Sequence, residues 1–481
     1  MTSSQTPRQR WLALYVLCLG VLMIVLDTTV VTVALPSIQS SLGFSDTALV
    51  WVLNAYMLTF GGFLLLGGRL GDLYGNRRCF LIGLVGFTVA SLACGVAPTR
   101  GVLVAARALQ GLGGALVTAV ALALIMNLFS TPADRAKAMG VYGFICAAGG
   151  SIGAVLGGVL TGLLDWRWIF LVNLPIGIAV YVMCLRLLPA DVAPVTRPRL
   201  DVAGAILVTG GLMIAVYAVI GGNVAGWTSG RTLGLLAVGG ALLAAFFAVE
   251  ARVRDPLMPL HLLKLRNLAT ANVIAILWSA GMFAWFVITA LYLQRVLGYD
   301  PLEVGLAFIP ADLVMAVFSV SLSARLVMKL GIRTPLWVGL AVAALGLGLI
   351  AQAPVDGTYV VHVLPGMMLL GVGGGMAFNP LLLAAMNDTD ESQAGLASGI
   401  VNTAFMMGGA LGLAVLASLA DARTAAELAG GATARDALND GYQLAFGIGA
   451  VMTLLGAVIG GVLLRPRLTP RGVESPTPAA H

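Results

Sequence analysis

Fourteen stretches of this 481-residue chain are apolar enough and long enough to cross a lipid bilayer: 11–35, 48–67, 79–97, 101–128, 138–163, 168–188, 202–221, 232–249, 268–293, 303–324, 334–353, 359–385, 395–419 and 442–464. Hydrocarbon offers the backbone no hydrogen-bond partner, so only helices or closed barrels can span it. A barrel strand needs only ~10 residues. These runs are far longer, and the expected fold class is an all-α polytopic membrane protein. Only 10% of the residues are charged, against ~25% in an ordinary soluble domain. A mean hydropathy of +0.98 excludes a water-soluble globule. The 61 glycines suit close helix–helix approach in lipid.

The net charge of +6 is scattered between the apolar runs and makes no basic face, so no nucleic-acid partner is expected. It does orient the chain. With the N-terminus inside, the cytoplasmic segments carry 20 Lys and Arg residues and the external segments 6. That bias predicts an N-in, C-in topology. Trp11, Trp51, Trp166, Trp168 and Trp337 fall near run ends, as interfacial aromatics should. The run 11–35 is too long for a signal-peptide core and reads as an uncleaved first span. Five cysteines without a C-x-x-C pair indicate neither a disulfide framework nor a metal site.

The chain repeats itself. "GRLGDLYGNRR" between spans 2 and 3 and "ARLVMKLGIR" between spans 10 and 11 share R-L-x4-G-x-R at an offset of 256 residues. "LGF" at Leu42 and "LGY" at Leu297 follow at 255, "QGLGG" at Gln110 and "LGVGG" at Leu370 at 260, and "GGSIG" at Gly149 and "GGALG" at Gly408 at 259. A common offset predicts two homologous six-helix halves. The expected limits are an N-terminal bundle over 1–190, a linker with two additional membrane helices over 191–264, a C-terminal bundle over 265–464 and a cytoplasmic tail over 465–481. Parallel repeats with a substrate site at their interface are a transporter architecture.

These motifs resemble the major facilitator superfamily, in particular its fourteen-span drug:proton antiporters, over nearly the whole chain. "GRLGDLYGNRR" is similar to the superfamily's span 2–3 signature, "LDTTVVTVALP" to the first-span motif of the fourteen-span group, and "RALQGLGGA" to its fourth-span motif. "GGSIGAVLGG" resembles the fifth-span antiporter motif, with Ala154 where a proline usually follows the second glycine; "DWRWIFLVNLPIG" is also similar to the group. The resemblance implies a major facilitator fold with fourteen spans. It implies that Arg107 assists proton transfer, and that a charge cluster in the span 2–3 loop latches the two halves in the outward-open state.

The residues themselves point to candidate sites. Asp27 and Arg107 lie ~13 Å and ~10 Å inside their spans, and Asp312 ~16 Å, at 1.5 Å per residue. Three ionisable groups at comparable depth in a ~30 Å core argue against lipid-facing positions, and intramembrane ionisable residues are functional by default. They form the expected proton-coupling set: desolvation favours a neutral carboxyl and a nearby guanidinium favours the carboxylate, so a change of environment changes proton occupancy. Asp27 and Arg107 each have a purely structural alternative as helix-packing groups. Asp312, after Pro310, has three readings: a second coupling carboxylate, a cation-recognition residue, or a cap on a proline kink. Gly68, Arg69, Asp72, Gly75, Arg77 and Arg78 form the expected cytoplasmic gating loop. Gly149, Gly153 and Gly157 make one smooth helix face, widened by Gly158, expected to pack against the other half and slide. Trp278, Met282 and Trp285 recur at i, i+4 and i+7. With Phe286, and with Asn54 and Tyr56 of span 2, they are the candidate substrate-cavity residues. "GGSIG" also reads G-x-S-x-G, but a hydrolase elbow needs a strand–turn–helix and a histidine, and this serine lies in a membrane run.

The expected function is therefore a proton-coupled antiporter that exports drug-like or antibiotic-like organic compounds by alternating access. It is expected to be no enzyme, to use no cofactor beyond the proton-motive force, and to act as a monomer in the inner (plasma) membrane of a bacterium. Its partners would be a small organic substrate, protons and membrane lipids. A uniporter or importer of a small metabolite on the same fold is the alternative, and a membrane sensor a more distant one.

Overall fold

A computed structural model of the chain describes residues 6–129, 132–189, 201–253, 256, 260–388 and 394–465. Among these the protein is helical throughout, with no strand. A first group contains α1 (Pro7–Leu42), the short α2 (Asp46–Leu49), α3 (Trp51–Tyr74), α4 (Asn76–Gly95), α5 (Arg100–Leu128), α6 (Pro132–Leu163), the short α7 (Trp168–Leu171) and α8 (Asn173–Leu187). Two helices follow, α9 (Val202–Ala225) and α10 (Gly230–Glu250). The second group contains α11 (Arg266–Arg295), α12 (Pro301–Val317), α13 (Ser323–Leu330), α14 (Arg333–Ile350), α15 (Leu364–Met386), α16 (Ala394–Ala429) and α17 (Ala434–Leu463). A π-helical turn, Phe318–Leu322, joins α12 to α13, and another, Tyr359–Val363, leads into α15. Twelve of the described helices are long and apolar enough to cross a membrane. The other two runs read as spans are α6 and the π-interrupted α12–α13 segment.

Local chemistry fixes the helix ends. Thr6 and Gln9 form a capping box before Pro7, and Asp300 and Glu303 form another before Pro301. Gly43 closes α1 in the left-handed region, φ 70°. Inside α1, the hydroxyls of Thr28, Thr29 and Thr32 donate to the carbonyls three residues back, a pattern that bends helices.

In hydrocarbon the helices gain little from apolar burial, so small residues decide how closely they pack. A methyl on Gly113 would lie 2.6 Å from the Phe87 backbone nitrogen, so α4 and α5 touch backbone to backbone. The α6 helix lies between α1 and α12, forming one seam between the groups. The other seam is α3 against α16, and α9 packs on both of these helices. A Cβ on Gly62 would fall on the Thr209 hydroxyl of α9. Farther along, Ser418 of α16 donates to the Val219 carbonyl at 3.2 Å. The α9 helix thus bridges the two helices of this seam, and α10 packs on α9. Further ties between the groups gather at the bundle end where α1 terminates. Gln294 donates to the Val33 carbonyl at 3.1 Å, Arg295 bonds Gln39, and a Cβ on Gly158 would meet the Pro301 carbonyl at 2.6 Å.

Close packing at Gly113 gives a direct expectation. Gly113→Ala should lower the melting temperature of the purified protein by several degrees, because the opposing atom is backbone and cannot turn aside. Gly86→Ala on α4, which faces open space, should leave it unchanged in the same fluorescence-monitored melt.

Candidate functional site

Asp27 is the buried carboxylate around which the first group is arranged. Its residue exposure is 1%, and that of Arg107 is 0%. The Arg107 guanidinium donates to Asp27 Oδ2 at 2.5 Å and, through Nε, to the Val52 carbonyl of α3 at 2.8 Å. Gln110 lies three residues after Arg107 on α5 and therefore on the same helix face. Its Nε2 donates to Asp27 Oδ1 at 2.7 Å and to Ser91 Oγ of α4 at 2.8 Å, while its Oε1 accepts from Arg107 at 2.7 Å. Asn173 Nδ2 of α8 adds a donor to Asp27 Oδ1 at 3.3 Å. The Tyr56 ring covers the guanidinium at 4.4 Å and Phe170 flanks it at 5.6 Å. One ion pair thus ties together α1, α3, α4, α5 and α8.

Every side-chain hydrogen bond to Asp27 comes from a donor. A carboxylate suits that shell; a protonated carboxyl would bring its own O–H against donors and find no acceptor. Thr28 and Thr29, which follow Asp27 in sequence, bond backbone carbonyls rather than the carboxylate. Of the five groups that complete the site, Gln110 was signalled by its i+3 spacing from Arg107. Phe170 and Asn173 lie within the "DWRWIFLVNLPIG" motif, which gave them no role; Ser91 and the Val52 carbonyl carried no signal in the sequence.

Asp312 stands apart from this network. It is fully buried on α12, and neither carboxylate oxygen has a hydrogen-bond partner. It therefore does not cap carbonyls freed by Pro310. Phe308 and Met315, four residues before it and three after, flank it on the same helix face. Phe308 lies 5.7 Å from Phe286 and 6.3 Å from Trp285, ring to ring.

The remaining candidates are distributed differently from expectation. The gating segment is mostly not a loop: Gly68, Arg69 and Asp72 belong to the last turns of α3, and Gly75 alone breaks the helix, at φ 96°. A Cβ on Gly71 would collide with Asn76 and Val120, whereas one on Gly68 meets nothing. Arg77 donates to the Leu185 carbonyl at 2.9 Å and so anchors α4 to α8; Arg78 is exposed in the same first turn of α4. The side chains of Arg69 and Asp72 lie outside those described. The face of Gly149, Gly153 and Gly157 packs on α1, against Val25, Thr29 and Val30, and not on the other half as expected; Gly158 alone of the four meets α12. A helix face has one direction, and the Asp27 turn of α1 occupies it. The expected cavity residues also separate. Trp278, Met282 and Trp285 line a narrow cavity within the second group, with Met315, Gly374 and Thr453. Phe286 stacks on Phe308 instead. Tyr56 belongs to the Arg107 site, and Asn54 is buried on α3.

A sequence model of the Major Facilitator Superfamily matches residues 17–413. This chain belongs to the Major Facilitator Superfamily. Among curated relatives, this superfamily member is 41% identical to the puromycin resistance protein of Streptomyces alboniger over 482 residues, 98% of this chain and 95% of that protein. It is 38% identical to the cephamycin export protein of Amycolatopsis lactamdurans over 473 residues, 98% of this chain and 96% of that one. It is 36% identical to the multidrug resistance protein Stp of Mycobacterium tuberculosis over 421 residues, 88% and 78% of the respective chains. Among solved structures, the inward-open xylose transporter XylE of E. coli superposes with a TM-score of 0.64 at 16% identity, over 96% of this chain and 98% of that one. The human organic anion transporter MFSD10 gives 0.64 at 18%, over 95% and 100%. At such identities the likeness establishes the shared fold.

For this facilitator the buried pair makes a thermodynamic prediction. Removing one partner leaves the other charge uncompensated, at a cost of ~3–5 kcal/mol. Asp27→Leu and Arg107→Leu should therefore each lower thermal stability strongly, and the double variant should recover most of the loss. Strict additivity of the two shifts in a melting assay would contradict the pairing.

Proposed function

We propose that this superfamily member is a proton-coupled antiporter that exports drug-like or antibiotic-like organic compounds from a bacterial cell. The curated relatives, named as resistance and export proteins, support the substrate class. The observation that carries the coupling is the shell of Asp27, built wholly of donors. Asp27 holds an ion pair with Arg107 when it has no proton; protonation ends that pairing and frees α1 relative to α5. The α6 helix packs directly on the Asp27 turn of α1 and also touches α12, so a shift of α1 is felt at the seam between the halves.

In this reading the protein has fourteen spans, α6 and the α12–α13 segment completing the twelve, with both termini on the cytoplasmic side of the inner membrane. The halves are the six-helix bundles over 1–190 and 265–464, with α9 and α10 in the linker between them. The bundle end where α1 terminates is then external. The ties Gln294–Val33, Arg295–Gln39 and Gly158–Pro301 close it, and the conformation is inward-facing with Asp27 deprotonated. The α3–α4 segment from Gly68 to Arg78 is the cytoplasmic latch of the opposite, outward-open state. The protein works as a monomer with no bound cofactor, drawing on the proton-motive force. One proton crossing ~100 mV releases ~2.3 kcal/mol, enough for a roughly 50-fold gradient of a neutral compound. Asp312 serves as a second protonatable carboxylate in the second half.

Reconstituted vesicles with an imposed pH gradient test this reading. Wild-type protein should move a compound from a panel of antibiotics and dyes against its gradient, with counter-movement of protons. Asp27→Asn should fold but reduce pH-driven export to background. Asp312→Asn should leave export proton-driven but lower the steady-state gradient by a factor of roughly 50, the share of one proton at ~100 mV. Full pH-driven export by Asp27→Asn would contradict the proposal.

A further inference from the structure

The α3–α16 seam contains a polar side chain that the coupling site does not use. Asn54 on α3 has 0% exposure, and neither its amide nitrogen nor its amide oxygen has a hydrogen-bond partner. Buried amides are normally satisfied, because desolvating one without a partner is costly. Asn54, Met57 and Gly61 are spaced i, i+3 and i+7 and share one face of α3, and that face meets α16. A Cβ on Gly61 would lie 3.1 Å from Met406 Cβ and 3.2 Å from Met407 Cγ. Opposite, a Cβ on Gly409 would lie 3.1 Å from Met57 Cε and 2.4 Å from the Phe283 ring. Two glycine notches on facing helices are therefore filled by thioethers and one aromatic ring. Thr403, one turn before Met406 on α16, is partly buried, and its hydroxyl has no partner.

We propose that Asn54, Met57, Phe283, Met406, Met407 and Thr403 form a substrate subsite at the α3–α16 seam for neutral organic molecules with an apolar body and hydrogen-bonding groups at both ends. The helices run antiparallel here, with Gly61 opposite Met406. At 1.5 Å per residue Asn54 and Thr403 are then about 15 Å apart along the axes, the length of a drug-sized molecule. Methionine side chains are flexible and polarisable and repack around varied apolar shapes, while glycine notches let them swing aside when the seam parts. None of the six residues is charged, so an ionic substrate would be desolvated there without a counter-charge. In the closed seam the methionines fill the space; a bound molecule would take their place and supply the partners that Asn54 and Thr403 lack.

This subsite rests on the exporter reading, and the two can fail separately. The test is equilibrium binding of tritiated chloramphenicol, a neutral probe, to the purified full-length protein, with competition by the cation tetraphenylphosphonium. Wild type should bind chloramphenicol, and tetraphenylphosphonium should compete weakly. Asn54→Leu and Thr403→Val should each weaken binding about tenfold, the loss of one hydrogen bond, and Asn54→Ser should restore part of it. Because Asn54→Leu replaces an unpartnered amide with an apolar group of similar size, its melting temperature should stay level or rise, which a merely structural Asn54 would not allow. Wild-type affinity in both Asn54→Leu and Thr403→Val, preference for tetraphenylphosphonium, or no chloramphenicol binding to wild type overturns the subsite. Failure of the wild type to export any compound in the vesicle assay would overturn the exporter reading instead.

Discussion

The contact between Asp27 and Arg107 is the interaction on which the first half depends. An ion pair removed from water needs hydrogen-bond partners for its other polar atoms, and of these only Arg107 Nη2 lacks one. Here α3 supplies a backbone carbonyl, α4 and α8 supply polar side chains, and α5 supplies both the cation and the amide that bridges it to the anion. The aromatic faces of Tyr56 and Phe170 enclose the guanidinium. Five helices are registered by one charge pair, so a change in that pair acts on all of them together.

Among the described residues the second half has no such pair. At the position equivalent to Arg107 in the repeat, near Met367, the chain is apolar and fully buried. Its one intramembrane carboxylate, Asp312, has neither cation nor hydrogen bond. The two halves share an architecture but not a chemistry: one is organised by a charge network, the other by aromatic and methionine packing around Trp278, Trp285 and Phe308. The extra pair of helices adds a second asymmetry. One seam between the halves is helix on helix, α6 against α12; at the other, α9 lies over α3 and α16 and is interlocked with α3 at Gly62 and Thr209.

The membrane fold, the family and the pairing of Asp27 with Arg107 were legible in the sequence, because lipid punishes unpaired charge and polar backbone so severely that few arrangements remain. Depth along a helix could be counted from residue numbers. Direction around the helix could not, and there the sequence reading went astray. The Gly149–Gly157 face was visible as a smooth surface, but only packing shows that it meets the Asp27 turn of α1. The Trp278–Met282–Trp285 stripe was visible too, yet it faces a cavity inside one half. Gly68 to Asp72 read as loop because of their polarity and glycines, whereas α3 simply continues through them to Gly75. Gln110 was within reach, three residues from Arg107. Asn173 lies in the "DWRWIFLVNLPIG" motif, but its contact with Asp27, 146 residues away in sequence, was not readable. The position of α9 depends on a notch at Gly62 that only the folded chain explains.

Under the proposed function, Asp27 exchanges its proton for its contact with Arg107 as the transporter changes state. Infrared difference spectroscopy of the purified protein tests it directly, by following the carbonyl stretch of a protonated carboxylic acid while a transported substrate is added at fixed pH. The account predicts a carboxylic-acid band that changes on substrate binding in the wild type and is missing from the difference spectrum of Asp27→Asn. The same band change in Asp27→Asn, or none in the wild type, would contradict it.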